Sequence, residues 1–105
     1  GVIQGTPLYM APEQITGQTP DHRTDIYALG IMTFRMITNT WPFEGKGIFE
    51  LHRLATPPLA TSRYKDIPST LDPVLVRSMA KSPDARQQSA TEFVNQVKDI
   101  FDFAQ

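Results

Sequence analysis

The side chains that most often carry covalent or metal chemistry are scarce in this sequence. None of the 105 residues is a cysteine, which excludes a disulfide framework, a thiolate zinc site and a thiol nucleophile. The two histidines, His22 and His52, have no partner at the spacing of metal ligands, so we expect no metal site. The remaining candidates are a hydroxyl, two carboxylates and a guanidinium: Thr6, Glu13, Asp25 and Arg86.

Taken alone, each of these four residues has an ordinary structural interpretation. Thr6 lies in a Gly-Thr-Pro turn, where its hydroxyl can satisfy its own backbone. Asp25 stands at a predicted helix start, where a carboxylate complements the helix dipole. Glu13 and Arg86 read as two unrelated surface charges, and a surface pair contributes about 0–1 kcal/mol.

The composition excludes several broad classes of protein. Apolar residues make up 40% and charged residues 20% of the chain, which is typical of a globular domain. The net charge of −1 gives no general attraction to nucleic acid or to an anionic membrane, so we expect neither as a partner. The longest apolar run, 26–37, is too short to span a bilayer and contains Arg35. Because no signal peptide precedes Gly1 and the chain does not start with Met, we expect a fragment.

The first half of the chain must position these residues with a loop and one strong helix. Residues 1–18 carry turn chemistry, with a short helix after Pro12. A helix is predicted from Thr24 to about Asn39, an Asn that tolerates the left-handed geometry of a helix end. Nine of the twelve residues in 26–37 are apolar and cover all sides of the helical wheel, so this helix must be surrounded by protein.

Three further helices are predicted in the second half. The run Ile48 to Leu54 reads as amphipathic, and 55–68 reads as a loop. Two capping-box patterns, 69–72 and 89–92, open the last two helices. The apolar positions of the three helices are Ile48, Phe49, Leu51 and Leu54; Leu71, Val74, Leu75 and Met79; and Phe93, Val94, Val97, Ile100 and Phe101. The predicted fold is mainly α, with four to five helices joined by loops and no sizeable sheet.

Four motifs in order make the chain resemble a serine/threonine protein kinase domain. The stretch 5–14, with Ala11-Pro12-Glu13, is similar to the end of an activation segment. The stretch 25–30 resembles the motif that opens the central helix, and Pro42-Phe43 and 82–86 resemble later motifs. The wording of 23–30, with Gln14, is similar to bacterial Hanks-type kinases. The resemblance implies the C-terminal helical lobe of the kinase-like fold, with 1–18 as activation segment and docking loop and 19–105 as helical lobe.

The resemblance assigns the loop before Ala11 to substrate binding. It implies that Gly5, Thr6, Pro7 and Tyr9 receive the substrate residue after the phosphorylated one. In such kinases the Thr6 hydroxyl bonds a catalytic Asp and Lys, and Gly5-Thr6 favours Ser/Thr substrates. The resemblance also pairs Glu13 with Arg86 in a buried ion pair, where a guanidinium holds a carboxylate through two parallel bonds.

The resemblance gives four residues of the central helix roles in supporting the catalytic layer. Asp25, in the same motif as Gly30, is expected to accept hydrogen bonds from catalytic-loop amides and to anchor the regulatory spine. Met32 and Met36 match positions that anchor the catalytic spine under the adenine of ATP. Methionines on a buried helix are usually core filler, so we expect both to be buried.

The motifs that perform phosphoryl transfer are absent from these 105 residues. There is no Gly-rich phosphate loop, no His-Arg-Asp and no Asp-Phe-Gly; Asp102-Phe103 is followed by Ala104. We therefore expect the chain to begin inside the activation segment of a longer, cytoplasmic kinase domain, whose parent protein could be membrane-anchored. That domain would use ATP and Mg²⁺ to phosphorylate Ser/Thr in proteins, while this chain alone would bind neither and be inactive. The alternative is a non-catalytic, kinase-derived helical interaction module.

Overall fold

The computed structural model describes residues 6–103, and Gly5, assigned above to the docking loop, lies outside them. Residues 6–103 contain no strand, which confirms the mainly α prediction. Three single 3-10 turns accompany the helices, at Pro7–Tyr9, Ala60–Ser62 and Pro83–Ala85. The five α-helices are α1 (Pro12–Ile15), α2 (His22–Thr38), α3 (Ile48–Leu54), α4 (Leu71–Ser78) and α5 (Ala90–Phe103). None of the helices in this part of the chain is long and apolar enough to cross a membrane.

Helix α2 is the centre of the fold, and its two ends are capped by side chains. It begins earlier than predicted because Asp21, not Thr24, is the N-cap: the Asp21 carboxylate accepts the Arg23 N–H at 2.8 Å. In turn, the Thr24 hydroxyl oxygen accepts a hydrogen bond from the Asp21 N–H. At the other end Asn39 has φ of 56°, which confirms the predicted left-handed helix end. Arg35, near that end, donates to the Asn39 carbonyl and so pairs locally.

Only one side of α2 faces the core. Ile26, Tyr27 and Phe34 are at most 1% exposed. The prediction that Met32 and Met36 are buried is wrong for residues 6–102, because these side chains are 47% and 78% exposed. No helix among the described residues covers that side of α2, so its apolar side chains face outward.

Helix α4 crosses α2 at Gly30, where the two backbones come unusually close. A Cβ built on Gly30 would lie 1.9 Å from the Ser78 Oγ and 2.8 Å from the Ser78 Cβ. Only glycine leaves room for this crossing. Leu71, Leu75 and Met79 of the α4 region are all fully buried around it, as their spacing predicted.

Two of the predicted helix features differ in detail. The 69–72 pattern does not form a capping box, because the Asp72 carboxylate is committed elsewhere: it accepts the Thr61 N–H and hydroxyl and so fastens the 55–68 loop to α4. At α5 half of the predicted box is present. The Ser89 hydroxyl oxygen accepts the Glu92 N–H, but the Glu92 carboxylate turns to the Gln88 N–H.

Helix α3 turns a different stripe inward than its apolar residues predicted. Phe49 and Leu54 are 37% and 70% exposed, whereas His52 is completely buried. The inward positions are Ile48, Leu51, His52 and Ala55, which have i, i+3, i+4, i+7 spacing. The histidine therefore occupies a core position of α3.

Candidate functional site

The segment 6–15 lies against the start of α2 and against α3. Thr6 is exposed and precedes the Pro7–Tyr9 turn, in which the Tyr9 N–H donates to the Thr6 carbonyl. The Thr6 hydroxyl makes no capping bond in this turn, so the ordinary interpretation of a threonine that satisfies its own backbone does not apply. Met10 and Ala11 are buried, which fixes the end of the turn in the core.

Arg86 anchors this segment with all of its N–H groups. A guanidinium has five N–H donors, and Arg86, which is completely buried, uses five. Two go to the two carboxylate oxygens of Glu13, at 2.7 and 2.8 Å. The others go to the carbonyls of Ala80, Arg23 and Lys81. One side chain thus joins the 6–15 segment, the first turn of α2 and the chain that follows α4.

The electrostatics of this pair keep Glu13 ionised. Burial alone would raise the pKa of the Glu13 carboxyl, but hydrogen bonds from Arg86 and from the Thr24 hydroxyl outweigh burial and hold that pKa below its usual value. The Arg86 guanidinium also lies 5.0 Å from the centroid of the Tyr27 ring, a cation–π contact. Glu13 and Arg86, 73 positions apart in sequence, therefore form a fully satisfied buried ion pair.

Thr6 and Asp25 line one small cleft between the segment and α2, with a volume of about 120 Å³. Asp25 lies in the first turn of α2 and is exposed, and its carboxylate hydrogen-bonds to no residue in the described range 6–103. Tyr9, which is half-buried, lines the same cleft. The structure thus brings Thr6, Tyr9 and Asp25 together, with both an exposed hydroxyl and an exposed carboxylate pointing to the same space.

The other predicted site residues lie away from this cleft. Pro12 is buried as the first residue of α1, and Pro7 opens the 3-10 turn. Gly30 lies in the interior at the crossing of α2 and α4. Met32 and Met36 lie on the exposed side of α2 and are not brought to the cleft.

A groove runs between the exposed side of α2 and α5, with a volume of about 520 Å³. Val94 and Phe101, two of the predicted inward residues of α5, are 52% and 40% exposed along it. The walls of the groove are almost entirely apolar; they include Leu29, Met36 and Ile37 of α2 and Val94, Val97 and Phe101 of α5.

The sequence analysis missed three residues that lie close to the anchored segment: His52, Tyr27 and Lys81. The His52 ring bonds the Tyr27 hydroxyl through Nδ1 and the Pro7 carbonyl through Nε2. Burial lowers the pKa of His52. The hydrogen bond to the Pro7 carbonyl raises that pKa in part, and the nearby Lys81 ammonium lowers it again. The i, i+3, i+4, i+7 stripe of α3 could have identified His52 as an inward residue.

Lys81 and Tyr27 share the environment of Arg86. Burial, with a smaller contribution from Arg86, lowers the pKa of Lys81 to about 8. The Lys81 ammonium lies 4.6 Å from the centroid of the Phe43 ring. Burial also raises the pKa of Tyr27. The titratable side chains His52, Tyr27, Lys81 and Arg86 are therefore grouped beneath the segment.

Comparison with known proteins identifies a family for this arrangement. The family model described as protein kinase domain matches residues 2–98. The chain is 40% identical over 98 residues to the serine/threonine-protein kinase Pkn1 of Myxococcus xanthus, covering 90% of this chain and 14% of that protein. It is 37% identical over 101 residues to the serine/threonine-protein kinase PknD of Chlamydia pneumoniae, covering 93% of this chain and 11% of that protein. The chain thus spans less than a fifth of the length of these curated relatives.

Proposed function

Because the chain belongs to the protein kinase domain family, we propose that it is the helical part of a domain that phosphorylates serine or threonine in proteins. Residues 1–18 supply the end of the activation segment and the substrate-docking loop, and 19–105 supply the helical lobe. The relatives named above are serine/threonine kinases of bacteria, which favours the Hanks-type class. We place the kinase domain in the cytoplasm, where ATP is available.

The observation that carries this proposal is the anchoring of the 6–15 segment by Arg86. A loop that receives a peptide must hold its shape before the peptide arrives, because ordering it during binding costs affinity. Arg86 holds Glu13 of the segment through two parallel hydrogen bonds and bonds the Arg23 carbonyl of α2 as well. Thr6 is left exposed at the cleft beside Asp25.

In this proposal the cleft residues complete the site together with catalytic loops from the same polypeptide. The Thr6 hydroxyl bonds the catalytic Asp and Lys, and the Asp25 carboxylate accepts amide hydrogens of the catalytic loop. Thr6, Pro7 and Tyr9 form the surface for the residue after the phosphoacceptor, with Gly5 before them. The partners are therefore protein segments containing Ser or Thr and the remainder of the kinase domain.

ATP and Mg²⁺ serve the complete domain, but the residues of this chain do not fit them. No three His, Asp or Glu side chains between residues 6 and 103 come together in a group that could hold a metal ion. The 105 residues also lack the phosphate-binding and catalytic motifs. We derive no step through the nucleotide here, and we propose that the chain alone does not catalyse the transfer.

A second candidate is a non-catalytic interaction module derived from a kinase. The apolar α2–α5 groove is the observation that favours it, because exposed apolar surfaces of this kind often mark interaction sites. The two candidates differ in the gene. A start codon and ribosome-binding signal just before Gly1 would favour the module, whereas an upstream frame encoding the missing motifs would favour the kinase.

The test is thermal stabilisation by ATP and Mg²⁺, measured on the 105-residue chain and on the full reading frame that contains it. A ligand that binds only the folded state raises the melting temperature. We expect no shift for the chain and a clear shift for the full reading frame. A shift for the chain itself would overturn our assignment of the nucleotide site to other parts of the domain.

Transfer of labelled phosphate provides the functional arm of this test. The full reading frame should label peptides that contain Ser or Thr but not the matched Tyr peptide. Replacement of Thr6 by Ala should lower labelling, while Thr6→Ser, which keeps the hydroxyl, should retain most of it. Equal labelling of the Tyr peptide would contradict the proposed substrate class.

A further inference from the structure

We propose that His52 is a positioning residue for the substrate-docking loop: through its ring Nε2 it holds the Pro7 carbonyl and thereby fixes the turn that presents Thr6 and Tyr9. This inference rests on the proposed function. It adds a residue outside the four motifs, on a helix whose inward face the apolar pattern did not predict.

The first argument is the location of His52. Helix α3 is short and lies at the surface, with Glu50 and Leu54 exposed, yet His52 is 0% exposed. A buried imidazole needs partners for both ring nitrogens, because an unpaired buried polar group destabilises the fold. His52 has both partners, one on α2 and one on the 3-10 turn of the docking loop.

The second argument is that these partners fix the direction of both hydrogen bonds. The Pro7 carbonyl can only accept, so Nε2 carries the proton and donates to it at 2.8 Å. In the neutral ring Nδ1 must then accept, and the Tyr27 hydroxyl donates to it at 2.6 Å. The Pro7 carbonyl therefore sets the tautomer of His52, and the Tyr27 hydroxyl, which can donate or accept, satisfies Nδ1 by donating to it.

The third argument is that the ring cannot easily leave this position. It packs edge-on against the rings of Tyr27 and Phe43, with centroid separations of 5.6 and 5.2 Å. The Lys81 ammonium lies over the Phe43 ring, 4.6 Å from its centroid. The aromatic group and the cation together hold the imidazole plane toward Pro7.

The fourth argument is that, within residues 6–103, no other side chain hydrogen-bonds to the stretch 6–10. Among the hydrogen bonds within residues 6–103, His52 provides the one side-chain bond to the stretch 6–10. The other bonds of this stretch are the backbone bonds of the turn itself, from the N–H groups of Tyr9 and Met10. Arg86 anchors the segment at Glu13, and buried Met10 holds the end of the turn by packing, so His52 supplies the side-chain hydrogen bond to the part that would touch the substrate.

The experiment is steady-state kinetics on the full reading frame with a Ser or Thr peptide. His52→Leu removes both bonds, and we expect the KM for the peptide to rise about fivefold with the KM for ATP unchanged, since a net hydrogen bond supports an effect of this size. Tyr27→Phe removes only the bond to Nδ1 and keeps the bond to Pro7, so we expect a smaller rise. A loss of fold would instead change both KM values and kcat together.

Two control variants separate positioning from packing. In His52→Gln the amide nitrogen reaches the place of Nε2 and keeps a donor for Pro7, so we expect most of the peptide KM to be restored. Leu54→Gln, on the exposed side of the same helix, should match the wild type. A peptide KM of His52→Leu within twofold of the wild type, or no difference between Leu and Gln at position 52, would overturn the proposal.

Hydrogen exchange gives a readout that does not require kinase activity. The Tyr9 and Met10 amides should exchange about tenfold faster in His52→Leu and less so in Tyr27→Phe, while the amides of α4 should be unchanged. Suppose that the Tyr9 and Met10 amides of folded His52→Leu exchange as slowly as in the wild type, and that Tyr27→Phe and His52→Gln are unchanged as well. That result would refute the role of His52. If the full reading frame transfers no phosphate, the proposed function fails, and hydrogen exchange still decides whether His52 holds the loop.

Discussion

The two sides of α2 meet very different surroundings. On one side Tyr27 and Phe34 are covered by α4 and by the Arg86 pair, and every guanidinium N–H of Arg86 has an acceptor. On the other side Met32 and Met36 are exposed beside an apolar groove of about 520 Å³. The same helix is thus covered on the side that faces the 6–15 segment and exposed on the side toward α5. The polar anchor, rather than apolar burial alone, therefore holds the loop side together.

The largest effect on stability should come from breaking the Glu13–Arg86 ion pair on the covered side of α2. Arg86→Ala leaves Glu13 buried without its partner, so we expect a loss of about 3–5 kcal/mol in the free energy of unfolding. The free energy of unfolding of Arg86→Lys should lie between those of the wild type and Arg86→Ala, because an ammonium keeps the charge but cannot make the two parallel bonds. Arg77→Ala, which breaks the exposed pair with Glu92, is the control and should cost about 0–1 kcal/mol. An unchanged melting temperature of the full reading frame carrying Arg86→Ala would contradict the anchoring role.

The next effect should come from the crossing of α2 and α4. Gly30→Ala places a methyl group 1.9 Å from the Ser78 Oγ, so the helices must separate. Overpacking of this kind typically costs about 1–3 kcal/mol. The double variant Gly30→Ala with Ser78→Gly removes both close contacts of Ser78 and should recover part of the loss relative to Ser78→Gly alone. Denaturant unfolding of the four proteins provides the measurement, and an equal loss in both backgrounds would argue against the clash.

A smaller effect should appear as a dependence of stability on pH. Burial, and to a smaller extent the nearby Lys81 ammonium, holds the folded-state pKa of His52 below its usual value of 6.5, and the Tyr27 hydroxyl bonds its Nδ1. The unfolded chain therefore binds a proton that the folded chain excludes, and stability decreases as pH falls below about 6.5. For one proton the slope cannot exceed about 1.4 kcal/mol per pH unit.

The check on this dependence is the free energy of unfolding between pH 7.5 and pH 5.5 in the wild type and in His52→Gln, an interval chosen as roughly one unit on either side of the free histidine pKa. Loss of the Glu13 contribution begins only at lower pH, near the ordinary pKa of 4.5 at which the unfolded chain takes up a proton that the folded carboxylate still refuses. We expect the variant to be less stable at the upper end but flatter across the interval. Equal slopes in the two proteins would assign the dependence to other groups.

The smallest effect on stability should come from a substitution on the exposed side of α2. Met36 is 78% exposed, so Met36→Lys should change the free energy of unfolding by no more than about 0.5 kcal/mol. The same change places a charge beside the groove and should reduce self-association of the isolated chain, measured by sedimentation at several concentrations. Thr56→Lys adds the same charge on an exposed loop and should leave association unchanged. We expect the isolated chain to self-associate through this apolar surface. A sharp melting transition that does not depend on protein concentration would contradict that expectation.

The sequence predicted the elements well because their signals are local. The 3.6-residue periodicity located α4 and α5, and the Asn at position 39 indicated the left-handed end of α2. Periodicity does not record what lies outside a helix, so the apolar wheel of α2 could not distinguish its covered side from its exposed one. The Glu13–Arg86 pair, 73 residues apart, came only from resemblance to a family.

The residues that the sequence analysis missed are those whose partners are distant. His52 is a polar residue on an inward stripe, and no local rule pairs it with Tyr27 and Pro7, which lie 25 and 45 positions away. The role of Asp72 was predicted wrongly for a related reason. Its position three residues after Ser69 satisfies a capping pattern, but a loop threonine 11 residues earlier bonds the carboxylate instead. Tertiary hydrogen bonds overrode the local preference in both cases.

The five bonds of Arg86 have a consequence for how the 6–15 segment can be controlled. A saturated guanidinium has no donor left for an incoming anion, so Arg86 is closed to phosphate groups, whether on a nucleotide or on a modified side chain. A signal that acts on the loop must therefore work upstream of Ala11, where His52 and the turn are the restraints, because reaching Arg86 would mean exchanging several buried bonds at once. The segment thus has a base at Glu13 held by two charged bonds and a turn at Pro7 to which, within residues 6–103, a single side chain hydrogen-bonds.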